Sequence, residues 1–259
     1  MLTGHLIRDP LYILKVGKWV PWVSNKKFVE VEVTTRCSLA CFNCDRSVRQ
    51  APSNECMSLE QIKKFINESI ESNWGWKRIR LMGGEPTLHP QFFEILNIVK
   101  RYKDLNPGCD IEISTNGYGR KVNEVLSKLP KWVNVRNSRK DLNINKFTHY
   151  NIAPIDLEEY KNADFTKGCW ITEVCGLGLN RNGYYPCGAG ASVDRVFGFN
   201  IGIEKLSLIN HSTLKNQLRL LCKYCGHYKK NAKRITEEKM SVSWQTAYGK
   251  YKRGNQIYR

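Results

Sequence analysis

Phe28-Val-Glu-Val-Glu-Val-Thr-Thr-Arg-Cys37-Ser-Leu-Ala-Cys41-Phe-Asn-Cys44 decides how this chain is read. From Phe28 to Val33 apolar and acidic residues alternate, the period-two pattern of a strand. The strand runs into Cys37, Cys41 and Cys44, whose close spacing lets three thiolates face one point. Such a tripod holds three corners of a [4Fe–4S] cube and leaves the fourth iron without a protein ligand. A structural zinc site would instead be closed by a fourth donor such as Cys56 or a histidine. Free thiols are the third reading.

A second signal bears on that choice. Lys77-Arg-Ile-Arg-Leu-Met82 reads as another strand and leads into Gly83-Gly84-Glu85-Pro86. Paired glycines at a strand's carboxyl end let a ligand approach the backbone, and a following carboxylate can hold an amino group. Ser58-Leu-Glu-Gln61 forms a capping box opening a helix to about Asn73, with Met57 and Ile62 at staple positions. His89-Pro90 opens a second helix, carrying Phe92, Ile95, Leu96 and Val99 on one face and stopped by Asn106-Pro-Gly108. A strand over Asp110–Gly117, a helix over about 121–129 and a strand over Trp132–Arg136 follow. Alternating strands and helices predict a parallel sheet with right-handed crossovers and chemistry at the strands' carboxyl ends.

Cys-x3-Cys-aromatic-x-Cys after the first strand and Gly-Gly-Glu-Pro after the second resemble the radical S-adenosylmethionine (SAM) superfamily. Both motifs in this order favour iron–sulfur over zinc. The resemblance implies that Cys37, Cys41 and Cys44 carry a [4Fe–4S] cluster, with SAM chelating its open iron through amino and carboxylate groups. It also implies that Gly83, Gly84, Glu85 and Pro86 line the methionine end of SAM, that Phe42 lies beside the adenine, and that Ser114 and Asn116 contact SAM. The fold implied is α/β, a partial (β/α)6 TIM-like barrel with a small C-terminal cysteine-rich β-hairpin/helix domain. Its later units, between about 140 and 165, are weakly marked.

Five more cysteines follow: Cys169, Cys175, Cys187, Cys222 and Cys225. The stretch from Cys169 to Cys187 reads as a hairpin turning at Asn180-Arg-Asn-Gly183, and Cys222-x2-Cys225 supplies a distant second pair. Cysteines so placed close a tetrahedral site, and spacing alone leaves a zinc knuckle open. The region resembles the twitch domain, a shortened SPASM extension that holds one auxiliary [4Fe–4S] cluster. By that resemblance Cys169, Cys187, Cys222 and Cys225 are its ligands. Cys175, nearer the turn than is usual, is then a packed thiol, an alternative ligand or a hydrogen donor to a carbon radical. No cysteine follows Cys225, which excludes a second auxiliary cluster. Cys56 and Cys109 read as small buried residues.

The chain has 259 residues, ten cysteines and a formal net charge of +17. That length supports one sizeable core plus a small appended unit. No stretch reaches the ~20 apolar residues of a membrane span, and clustered cysteines suit metal in a reducing cytoplasm. Lysine is spread along the chain, with one basic concentration over 229–259. That tail reads as a solvated surface or a contact for phosphate or acidic partners; without a nucleic-acid-binding signature, no nucleic-acid partner is expected. The expected division is a basic lead-in over 1–27, the barrel over 28–165, the twitch unit over 166–228 and the tail over 229–259.

By resemblance, the chain cleaves SAM reductively to a 5′-deoxyadenosyl radical that takes a hydrogen atom from substrate. A cluster pair in so short a chain is similar to aminocyclitol dehydrogenases of the butirosin-pathway type. This implies oxidation of a secondary alcohol on a sugar-like small molecule, with the auxiliary cluster accepting the electron and a flavodoxin- or ferredoxin-type protein donating the first one. Alternatives are an epimerase using Cys175, a ribosomal-peptide-modifying enzyme and a non-enzymatic metal-containing nucleic-acid-binding module. Peptide modification is less expected, because 27 residues ahead of the first strand are too few for a leader-binding domain. His149, Arg139, Tyr118 and Asp156 are candidate bases that no motif separates. Arg46, Arg49, Asp194 and Arg195 read either as substrate contacts or as salt-bridge partners.

Overall fold

The structure is a computed structural model describing residues 22, 24–140, 147–229, 234–235 and 237–253. Its first strand, β1 (Phe28–Thr34), sends Val29, Val31 and Val33 into complete burial, as the alternation requires. α1 (Leu59–Glu71) follows, opened by the Ser58/Gln61 capping box, with Met57 and Ile62 both buried beside the cap. Then come β2 (Arg78–Gly83), α2 (Phe92–Leu105), β3 (Asp110–Thr115), α3 (Arg120–Leu126) and β4 (Val133–Asn137). Phe92, Ile95, Leu96 and Val99 of α2 pack with the valines of β1 in one core.

Strands β1 to β4 pair in sequence order and in parallel, forming the α/β partial-barrel wall. Six successive units were expected, but the described residues depart from that order. β5 (Phe147–Thr148) pairs instead with β8 (Arg234–Ile235) in a separate two-stranded sheet. After α4 (Trp170–Val174), β6 (Leu177–Asn180) lies parallel on the other side of β1, and β7 (Gly183–Tyr185) returns antiparallel as the predicted hairpin. The cysteine-rich hairpin therefore extends the barrel sheet through β6.

The second face of the sheet is charged and interior. Register aligns Glu30 of β1, Arg80 of β2 and Glu112 of β3 in one row. Arg80 bridges both carboxylates, at 2.7 Å from Glu30. Arg46 covers the row from above, its Nη2 donating to Glu30 Oε2 at 2.8 Å. Burial opposes ionisation of Glu30, but Arg46 and Arg80 outweigh it and hold the carboxyl below its ordinary range.

Beyond α5 (Gly188–Phe197) and α6 (His211–Leu221), the last described helix is α7 (Val242–Lys252). This corrects the expectation of a solvated tail. Trp244, Tyr248 and Tyr251 of α7 are buried in a second core with α5, and Trp244 Nε1 donates to the Tyr224 carbonyl at 2.7 Å. An apolar face on a strongly basic segment was masked by its net composition; the charges Lys250 and Lys252 stay exposed. The lead-in over 1–21 and tail residues 230–233, 236 and 254–259 lie outside the described residues. No described helix is long and apolar enough to cross a membrane.

Gly83 and Gly84 answer a packing need. A Cβ on Gly84 would overlap the Arg36 carbonyl oxygen, and one on Gly83 the Thr34 carbonyl oxygen. Gly84→Ala is expected to destabilise the fold by about 3 kcal/mol, read as a lower denaturant midpoint, because backbone rather than a movable side chain stands in the way.

Candidate active site

The carboxyl ends of β1, β2 and β3 converge on the first cysteine loop. Leu39 N–H donates to Cys37 Sγ at 3.4 Å, and Asn116 Nδ2 approaches the same sulfur at 3.6 Å. Burial pushes the Cys37 thiol up to about 11; Cys44, Glu85 and Cys41 reinforce this, against the Leu39 N–H. Burial also raises the Cys44 thiol. Sulfurs that repel one another in a desolvated pocket ionise when a metal centre supplies positive charge, so this donor set fits a thiolate-bound cluster.

Glu85 lies where β2 ends, beside the end of β3. The side chain is 0% exposed and inward-turned. Its Oε1 accepts from Thr87 Oγ1 at 2.8 Å and Thr115 Oγ1 at 2.9 Å, while Oε2 accepts from the Asn116 N–H at 2.7 Å. Adding the Thr87 N–H, these donors fill the ~4 acceptor positions of a carboxylate. Glu85 thus ties the end of β2 to that of β3, and its carboxylate as placed is engaged by the scaffold. Pro86 begins the short turn that Glu85 caps.

The other residues assigned to SAM are close to this loop or on its strands. Asn116 faces Cys37 and Ser38, and Ser114 lies on β3, paired in register with Arg136 of β4. One face of the Phe42 ring is covered by the Arg49 guanidinium, 4.7 Å from the centroid; Arg49 is in turn paired with Glu238 at 2.8 Å.

Cys169, Cys187, Cys222 and Cys225 line a single cavity. Cys169 and Cys187 precede the first residues of α4 and α5, while Cys222 and Cys225 follow α6. Burial pushes Cys169 up to about 12 and Cys187 to about 11. It also drives Cys222 and Cys225 well above the ordinary thiol range, with the neighbouring thiols adding to each. The rest of the lining is largely apolar, including Ile171, Pro186, Leu218 and Leu221. Four sulfurs in a dry cavity fit a four-thiolate cluster. Among the described residues, no three His, Cys, Asp or Glu side chains are grouped for a single metal ion.

Cys175 lies apart from this cavity's lining. It ends α4 just before β6, its carbonyl near Arg78 at the amino end of β2, and its thiol is buried beside Glu30, Arg80 and Arg46. Cys37 follows the opposite, carboxyl end of β1, while the Cys175 thiol faces Glu30 and Arg46. Cys109 is buried as expected, and Cys56 Sγ sits 3.1 Å from Thr34 Oγ1.

Several residues read as possible substrate contacts are committed internally. Arg46 pairs with Glu30, and Arg195 with Glu32 while its Nη2 donates to the Arg46 carbonyl at 2.5 Å. Asp194 accepts from Tyr185 Oη at 2.6 Å and from the Ile201 N–H. Of the candidate bases, Asp156 accepts from Ser243 Oγ and N–H, whereas Tyr118 is 41% exposed near Asn116.

The two cysteine sets meet through residues without a sequence signal. Asp45, directly after Cys44, lies 3.7 Å from His227 Nε2, two residues after Cys225. The same loop is gripped from α7, where Tyr248 Oη meets Ser47 Oγ at 2.8 Å.

Comparison with known proteins agrees with the first centre. The profile of the Radical SAM superfamily matches residues 31–136. A "Probable GTP 3′,8-cyclase" of Methanococcus maripaludis is 33% identical over 87 residues, covering 34% of this chain and 27% of that protein. A "GTP 3′,8-cyclase" of Aliarcobacter butzleri is 33% identical over 106 residues, 40% of this chain and 29% of that protein. The match thus spans less than a third of these relatives' length. Among solved structures, BtrN in complex with AdoMet and 2-DOIA aligns with TM-score 0.48 and 15% identity, over 83% of this chain and 100% of that one. The segment that matches the Radical SAM superfamily, 31–136, holds both the cysteine loop and the Gly-Gly-Glu-Pro turn.

Proposed function

We propose that this chain is a radical SAM dehydrogenase that oxidises a secondary alcohol on a carbohydrate or aminocyclitol-type substrate, with a second [4Fe–4S] centre as electron acceptor. The observation that carries the reading is the enclosure of Cys169, Cys187, Cys222 and Cys225 around one buried cavity, linked to the first cysteine loop through Asp45 and His227. When bound, SAM and the two clusters supply hydrogen-atom abstraction and one-electron transfer.

The chain's own residues position, shield and neutralise. Cys37, Cys41 and Cys44 hold the first cluster, and Asn116 orients the Cys37 sulfur by its hydrogen bond. Glu85 keeps the ends of β2 and β3 together beside it. Ser114 on β3 and Arg136 on β4, paired in register, give this side of the sheet groups that bind hydroxyls. The alignments cover less than a third of the curated relatives' length, so the GTP in their names does not argue for GTP as substrate here. The net reaction removes one hydrogen atom, one electron and one proton from the carbinol, giving a ketone.

The test is anaerobic reconstitution followed by reduction with SAM and a panel of deuterated polyols and aminocyclitols. Deuterium in 5′-deoxyadenosine with one carbonyl product per turnover is expected. Cys222→Ala is expected to keep SAM cleavage and lose the ketone. Deuterium transfer with an inverted alcohol and no ketone would replace the dehydrogenase reading with epimerisation.

A further inference from the structure

His227 is a buried group that the proposed reaction leaves unused. It lies on the short turn Gly226–Tyr228, where Gly226 packs so tightly that a Cβ would overlap the His149 carbonyl oxygen. The imidazole lines the same cavity as the four cysteines. Its side chain is only 10% exposed, and neither ring nitrogen has a hydrogen-bond partner. Buried polar atoms are nearly always satisfied, so a ring left in this state beside an enclosed cavity points to a ligand in that cavity. Tyr150 packs against the ring, with centroids 5.6 Å apart, and restricts its rotation.

The two nitrogens have different surroundings. Nε2 is 3.7 Å from Asp45 Oδ2, an ion-pair distance rather than a hydrogen bond. The other oxygen of the same carboxylate, Asp45 Oδ1, lies 3.9 Å from Arg46 Nε. Nδ1 has no partner among the described residues. The backbone places Asp45 next to Cys44 and His227 two residues from Cys225, so the ring and the carboxylate form a polar connection between the two cysteine sets.

We propose that His227 is a tuning residue of the second centre: its ring donates a hydrogen bond to a sulfur of the cluster held by Cys169, Cys187, Cys222 and Cys225, and Asp45 orients it from the first cysteine loop. Hydrogen bonds to cluster sulfurs favour the more negative, reduced state and raise the reduction potential; a nearby carboxylate acts in the opposite direction. The inference rests on the four-cysteine cluster proposed above.

The test uses the full chain with Cys37→Ala, which removes the first cluster and leaves the second to be titrated by electron paramagnetic resonance. His227→Phe is expected to lower the midpoint potential by an amount equal to at least a tenfold change in the reduction equilibrium, about 59 mV for one electron. His227→Gln, which keeps a donor, is expected to restore part of the shift. Asp45→Asn is expected to move the potential upward. About four irons per chain with a midpoint unmoved by all three substitutions would overturn the role of His227. If the Cys37→Ala parent binds no iron, the four-cysteine cluster itself falls, and this inference with it. If only His227→Phe fails to load, the Gln and Asp45 variants decide the question by the same titration.

Discussion

Cys37→Ala is expected to abolish 5′-deoxyadenosine formation to the level of a protein-free control while leaving the fold intact. Cys37 is partly exposed in the loop after β1, so its truncation opens no core cavity. What it removes is one of three donors to a cluster that has no fourth protein ligand. Iron should fall from about eight to about four per chain, because Cys169, Cys187, Cys222 and Cys225 form a separate cavity. Iron analysis, far-ultraviolet circular dichroism and product assay on one sample distinguish this from unfolding. Undiminished 5′-deoxyadenosine from the variant would remove the first cysteine loop from the chemistry.

Arg46→Met should have the largest effect on stability, about 3–5 kcal/mol at neutral pH, since it leaves Glu30 buried beside a single remaining arginine. It also withdraws the guanidinium that faces Asp45. Adding Glu30→Gln to Arg46→Met is expected to recover part of the loss, a coupling that a double-mutant cycle measures directly. The acid response follows from the same contacts. Glu30 has its folded pKa lowered from 4.5, so its contribution is complete above that value and fades as pH falls through the lowered one. Wild type should lose stability more steeply than Glu30→Gln below about pH 4. Parallel slopes in the two proteins would show that this carboxylate does not govern acid unfolding.

Much of the fold was legible because its local signals agree with one another. Alternation in β1, the Ser58 capping box and the apolar face of α2 each describe a backbone state that neighbouring residues settle by themselves. The hairpin at Asn180–Gly183 was legible for the same reason: Gly183 sits at φ 127°, a conformation suited to glycine. The later barrel units were not, because the segment after β4 carries weak periodicity and its short strand β5 pairs with β8, a partner distant in sequence.

The sequence by itself determined the chemistry on offer: three thiols in one loop, a Gly-Gly-Glu-Pro turn at the next strand end, and five later cysteines. Residue type and short spacing suffice for that, since a thiol's capacity to bind iron is intrinsic. Only the tertiary structure decided how these groups are employed. It set Glu85 among Thr87, Thr115 and Asn116, committed Arg46 to Glu30, sent Cys175 to the far end of the sheet and seated Tyr248 of the basic C-terminal segment on the cysteine loop. It also brought Asp45 to His227 across 182 positions of chain, with both lying beside cysteines. The physical reason is common to all of these. A charge or a thiol changes its role with burial and with its partners, and those are supplied by strands and helices far away in the chain.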